Sequence, residues 1–177
     1  MKMPSPILFL SQLSTSCPAL TPAAGLSLAE AASVCLAEQG HPRIFDLMVN
    51  SEKEQTYQVE RLEVTPQMRR CYNDDAEATE FGACAIAILA VQEMTNLAVI
   101  ERSRKSTGFD YWLGTSEPLP FQRKARLEVS GIRMGNKSMI EVRIGQKVRQ
   151  VERYPNALPI YIVVVEFSQP IAQVRVL

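Results

Sequence analysis

Two carboxylates stand out by their surroundings. Asp110 lies in "GFDYWLG", residues 108–114, and Glu128 in "ARLEVSGI", residues 125–132. Both runs are apolar enough to read as strands. A charged carboxylate is costly to bury unless it is paired or bound to a cation. If the two strands are neighbours, the acids can converge at one edge of a sheet. A hard divalent cation prefers oxygen ligands of this kind, completed by waters and a phosphate. Such an ion lowers the pKa of a bound water and neutralises charge on a phosphodiester. The approach to Asp110, "RSRKSTGFD", carries Arg102, Arg104 and Lys105, which suit flanking phosphates.

The elements that must position these groups follow from periodicity and punctuation. "LSLAEAASVCLAEQG", 26–40, reads as a helix capped by Ser27, with Glu30 three positions on and Gly40 at its end. Residues 43–49 and 56–64 read as a hairpin across the polar turn 50–55. Residues 73–97 are the clearest helix, with Asp74 as N-cap and Glu77 at the capping-box position. Its Phe81–Val91 stretch is almost wholly small or apolar, so burial on most sides is expected. Glu80 shares a face with Cys84 and Ile88 there. Strands are expected over 98–104, 108–114 and 125–132, then a helix over 138–154 with Ser138 and Glu141 as its capping box. Ile140, Ile144, Val148 and Val151 make one stripe of that helix, and Lys147 lies on it. Strands over 159–167 and 171–177 close the chain. The expectation is an α/β (α+β) fold with a central mixed β-sheet flanked by helices and an N-terminal helix and β-hairpin extension. Residues 1–25, rich in Ser and Pro, are expected as a flexible arm. Residues 26–177 are expected as a single α/β domain, with 26–72 forming the helix and hairpin and 73–177 the core.

The 177 residues suffice for one domain with a real core. The four cysteines are scattered with no CxxC pair, which argues against zinc and for reduced thiols in a cytoplasmic setting. Ile7–Leu10 is too short for a signal-peptide core, and no segment approaches a membrane span. No membrane partner is expected. His41 is the single histidine, which excludes a histidine metal cluster, and no nucleophile elbow, Walker or Rossmann glycine pattern occurs. The formal net charge of zero hides a split. Residues 1–101 hold 6 Lys/Arg against 13 Asp/Glu, and residues 102–153 hold 12 against 5. This suits a basic face for an anionic partner, or two halves that attract each other.

The order helix, strands, Asp, strand with Glu, helix, strand resembles the restriction-endonuclease-like fold of the PD-(D/E)xK nuclease superfamily, in its Holliday-junction-resolvase style. The resemblance covers roughly residues 73–168. It implies a Mg²⁺- or Mn²⁺-dependent nuclease acting on DNA, with Asp110 and Glu128 holding the metal and Glu80 assisting as the acid on the first helix. "LEVS" stands where the family has Glu-x-Lys, so Ser130 replaces the lysine. A serine cannot supply its positive charge. Either Lys147 supplies that charge from the next helix, or the site binds without cutting and serves as a nucleic-acid-binding or protein-interaction module. Arg102, Arg104, Lys105, Arg143 and Gln146 are the residues expected to contact nucleic acid. A homodimer or a partner protein also fits the family.

Each residue has a plainer role open to it. Asp110 can be a turn acid bonded to backbone N–H groups. Glu128 can face solvent beside Arg126. Glu77 and Glu80 are favoured near a helix N-terminus by the dipole alone. Lys147 can snorkel at the edge of its stripe. Glu101 can pair with Arg102 or Arg104, and Trp112 can be core packing.

Overall fold

The computed structural model describes residues 7–115 and 117–177. Its elements in chain order are β1 (Ile7–Phe9), a 3-10 turn (Leu10–Ser14), α1 (Pro22–Glu38), β2 (Ile44–Asn50), β3 (Glu54–Glu60) and α2 (Pro66–Cys71). Then come α3 (Asp75–Thr95), β4 (Ala98–Arg102), β5 (Tyr111–Gly114), β6 (Arg123–Ile132), α4 (Lys137–Glu152), β7 (Ile160–Glu166) and β8 (Ile171–Val176). All eight strands join one mixed sheet of order β1-β3-β2-β8-β7-β6-β5-β4. The fold is therefore α/β, with a central sheet flanked by helices as expected.

Alternation along the strands divides the layers, because successive side chains point to opposite faces. Leu127, Val129, Val163 and Val165 of β6 and β7 join the larger core with α1 and α3. Ile132, Ile160, Ile162 and Val164 point the other way and pack under Ile140, Ile144 and Val151 of α4. α3 comes close to the sheet at Gly131, where an added Cβ would lie 2.6 Å from the Thr79 carbonyl oxygen. Only glycine fits that approach. β6 runs parallel to β7, and α4 is the crossover between them.

Glu166 ends β7 with a fully buried carboxylate. Its oxygens accept from the backbone N–H groups of Gly135 (3.0 Å), Ser168 (2.9 Å) and Gln169 (2.8 Å), and from the Ser168 hydroxyl. Four donors compensate the lost hydration. They also tie Gly135, the residue before the Asn136 cap of α4, to the end of β7.

Several boundaries differ from the expected ones. Residues 7–25 are not a loose arm. β1 pairs with β3, Leu10 and Leu13 are fully buried, and α1 begins at Pro22. Thr21 caps that helix by accepting from Ala24 N–H at 3.2 Å, with proline favourable at the first helical position. Ser27 lies inside the helix, and its hydroxyl meets the Tyr72 hydroxyl at 3.1 Å. Residues 1–6 of the expected arm lie outside the described residues. The hairpin of β2 and β3 is continuous with the rest of the sheet, because β2 pairs in parallel with β8 at Met48–Ile171. α4 is capped by Asn136, which accepts from Met139 N–H at 3.0 Å, rather than by Ser138. Asp74 caps α3 as expected, accepting from Glu77 N–H at 2.8 Å. Among the described residues, no helix is long and apolar enough to cross a membrane.

Leu13→Ala should lower unfolding free energy by about 2–5 kcal/mol, read from the urea midpoint, as for other fully buried leucines. A loose arm would instead give a change within about 0.5 kcal/mol.

Candidate functional site

Glu128 sits on the α4 face of β6, and Asp110 enters from the neighbouring strand. Asp110 stands one residue before β5 rather than inside it, yet it continues the ladder. Its N–H donates to the Leu127 carbonyl at 2.9 Å, and its carbonyl accepts from Ser103 N–H at 2.8 Å. The Asp110 Oδ2 accepts from Val129 N–H at 2.8 Å, so the side chain folds back over β6 beside Glu128. The turn between β4 and β5 is held from within. The Thr107 hydroxyl donates to the Arg104 carbonyl at 2.8 Å and also bonds the Ser103 hydroxyl. Gly108 has φ of +83°, and a Cβ there would lie 2.4 Å from the Tyr154 ring. Both demands select glycine.

α4 answers the Glu128 charge. Lys147 Nζ donates to Glu128 Oε1 at 2.6 Å, and Gln150 Nε2 donates to the same oxygen at 3.1 Å. Gln150 also reaches the Gly108 carbonyl at 3.3 Å, joining the turn to the helix. Glu128 is 3% exposed. Burial, and after it the Asp110 charge, push the Glu128 carboxyl from its ordinary value up to about 7, against the pull of Lys147. The solvent-facing role beside Arg126 is overturned. Arg126 is itself buried and donates to the Leu158 carbonyl at 2.8 Å.

Asp110, Glu128, Lys147 and Gln150 line a cleft of about 390 Å³ together with Arg102, Arg104 and Lys105. A second cleft of about 400 Å³ shares Lys147 and holds Glu80, Ser130, Arg133 and Arg143. The structure therefore brings Asp110, Glu128 and Lys147 into contact and sets Arg102, Arg104 and Lys105 around them. Glu80 lies in the neighbouring cleft. Ser130 accepts from Arg143 Nη1 at 2.8 Å, so a guanidinium stands beside the serine. Gln146 is exposed on α4 and lines neither cleft.

Sequence reasoning missed Gln150 and Tyr154. Gln150 carried a signal. Arg143, Lys147 and Gln150 fall at i, i+4 and i+7, a polar stripe beside the apolar one. Tyr154 lies beyond the helix end and carried none. Glu101 pairs with Arg123 at 2.7 Å rather than with Arg102 or Arg104. Trp112 is half-buried on the α4 face against Phe109, not a member of the main core.

The carboxylates suit a hard cation in their chemistry. Asp110 commits Oδ2 to the backbone and Glu128 commits Oε1 to Lys147 and Gln150. The other oxygen of each accepts from no N–H, the two carboxyl groups lie within hydrogen-bonding reach of one another, and Mg²⁺ often takes one or two carboxylates with waters completing its shell. Among the described residues, no group of three or more His, Cys, Asp and Glu side chains is placed to hold a metal. No protein-family model, curated protein or solved structure matches the chain.

A raised Glu128 pKa means that the folded protein holds this proton where the unfolded chain has released it. Its contribution to stability is present below the ordinary pKa of about 4.5 and is lost as pH rises toward about 7. Glu128→Gln removes that term. The stability difference between variant and parent should move in the variant's favour between pH 4 and pH 8, by on the order of a few kcal/mol. A flat difference across a pH series of urea denaturations would contradict the placement of this carboxylate.

Proposed function

We propose that the protein is a divalent-metal-dependent nuclease-like enzyme acting on DNA phosphodiester bonds, related in design to the PD-(D/E)xK nucleases. One observation carries the proposal. Two carboxylates from adjacent strands meet a lysine from the crossover helix at the floor of a cleft rimmed by Arg102, Arg104 and Lys105. The order α3-β4-β5-β6-α4-β7, with β4, β5 and β6 antiparallel and β6 parallel to β7, also supports it.

Asp110 and Glu128 would hold Mg²⁺ or Mn²⁺, which would supply an acidified water and charge neutralisation at the phosphate. Lys147 replaces the charge that Ser130 lacks. Its ammonium stands 2.6 Å from Glu128, where it can hold a proton and orient a water at the phosphate. Arg102, Arg104 and Lys105 bind the flanking phosphates by charge. Glu80 and Arg143 act from the second cleft, on the other side of Lys147. Free thiols at all four cysteines suit a cytoplasmic setting.

A second proposal is a binding or partner-interaction module of the same design without cleavage. The Arg143–Ser130 bond favours it, because it occupies the serine that stands in the lysine's place.

With Mg²⁺ or Mn²⁺ the protein should nick supercoiled DNA, and Asp110→Ala should abolish nicking. Lys147→Met should reduce the rate by about 10²–10⁴-fold, the range for a lost acid–base group. Equal activity in the Asp110 variant removes the enzymatic proposal. Salt-sensitive DNA binding with no nicking under either metal selects the binding module.

A further inference from the structure

Beside the carboxylate cleft lies a third, of about 340 Å³, lined by Glu101, Arg102, Ser103, Arg104, Thr107, Trp112 and Arg123. Trp112 and Arg123 of this cleft belong to a stack. The Phe109 ring meets Trp112 edge-on with centroids 4.7 Å apart, and the Arg123 guanidinium lies over the Trp112 ring at 4.1 Å. Glu101 Oε2 accepts from Arg123 Nε at 3.1 Å and from Nη2 at 2.7 Å. The guanidinium is thus held on one face by indole and along one edge by carboxylate, although its side chain is 47% exposed. A surface arginine ordinarily keeps its rotamer freedom. This one is pre-organised with its outer face toward the cleft.

Two register shifts build the arrangement. In β4, Val99 pairs with Leu113 and faces the core, so Glu101 two residues on would face the core as well. The shift between Val99 and Glu101 turns it opposite Trp112 instead. In β6, Ala125 pairs with Leu113 and is likewise in the core. The shift at Leu113–Gly114 sets Arg123 opposite Gly114, on the face that Trp112 occupies. Bulges that re-aim side chains recur beside functional sites. Here two of them converge on one indole. Arg102, Ser103 and Arg104 line both this cleft and the carboxylate cleft, so a phosphate bound by the two arginines would present its base to the stack.

We propose that Trp112 and Arg123 form a stacking subsite for one unpaired nucleobase, placed next to the phosphodiester that Asp110 and Glu128 address. Bases stack on guanidinium planes and aromatic rings irrespective of sequence, but only when they are out of the duplex. The substrate class is therefore DNA with a single-stranded or extruded nucleotide at the site. The position relative to the scissile bond rests on the nuclease proposal; the stacking itself does not.

The chain has one tryptophan, so its fluorescence reports on this subsite alone. Full-length protein is titrated at low salt, without divalent metal, with three probes of equal length: single-stranded oligothymidylate, an abasic strand, and a blunt duplex. Oligothymidylate should change Trp112 emission and bind about tenfold more tightly than the abasic strand, within the range of one base–aromatic stack. The duplex should leave the emission unchanged. Arg123→Lys keeps the charge and loses the plane, so it should bring oligothymidylate down to the abasic affinity. Equal affinity for the abasic strand, an equal response to the duplex, or an unaffected Arg123→Lys variant overturns the subsite. Because metal is absent, a protein that stacks but never cuts refutes only the nuclease proposal. One that cuts duplex and single strand alike with no base dependence refutes only the subsite.

Discussion

Glu128 is a carboxylate almost wholly withdrawn from water, 3% exposed at the floor of its cleft. It stands in an interior strand, with β5 and β7 on either side and α4 above it. Its charge must be answered from within, and the answer organises this half of the molecule. Lys147 and Gln150 meet it from α4, which sets the rotation of that helix over the sheet. Gln150 also reaches the Gly108 carbonyl, which sets the turn that delivers Asp110. The acid and its two donors act together with the packing of Ile140, Ile144 and Val151 to hold α4 in its rotation.

The charge split is partly drawn into contacts between the two halves. Arg133 in the basic half pairs with Glu38 and Asp75 in the acidic half, and Arg123 pairs with Glu101. Those contacts stitch the halves together. Among the described residues, Arg102, Arg104 and Lys105 form no ion pair and remain around the cleft. Part of the surplus therefore joins the halves of the fold, and part has no ion-pair partner among the described residues.

The layering was legible in the sequence because period and burial coincide there. The apolar stripe of α4, the nearly continuous apolar run of α3 and the strong β7 all declared themselves. The Asp110–Glu128–Lys147 group was legible because acids and a lysine in apolar company are conspicuous. What escaped depends on distances along the chain that no local pattern records. Leu10 and Leu13 sit in a Ser- and Pro-rich segment, yet they fill the core because the chain returns to cover it. Arg126 looked like a partner for Glu128 two residues away, but it turned to the Leu158 carbonyl. The register shifts around Trp112 arise from pairing and leave no mark on alternation alone.

Glu166 gives this architecture an asymmetry. α4 is fastened at both ends by carboxylates, but the two fastenings differ in kind. At its start, Glu166 is sealed from solvent and bonded to the backbone of Gly135 and of the turn after β7. Toward its end, Glu128 is held by two side chains that border an open cleft. The near end of α4 is thus fixed by backbone bonds out of reach of any solute, whereas at the far end only the apolar packing of Val148 and Val151 is closed to solvent and the polar contact faces the cleft.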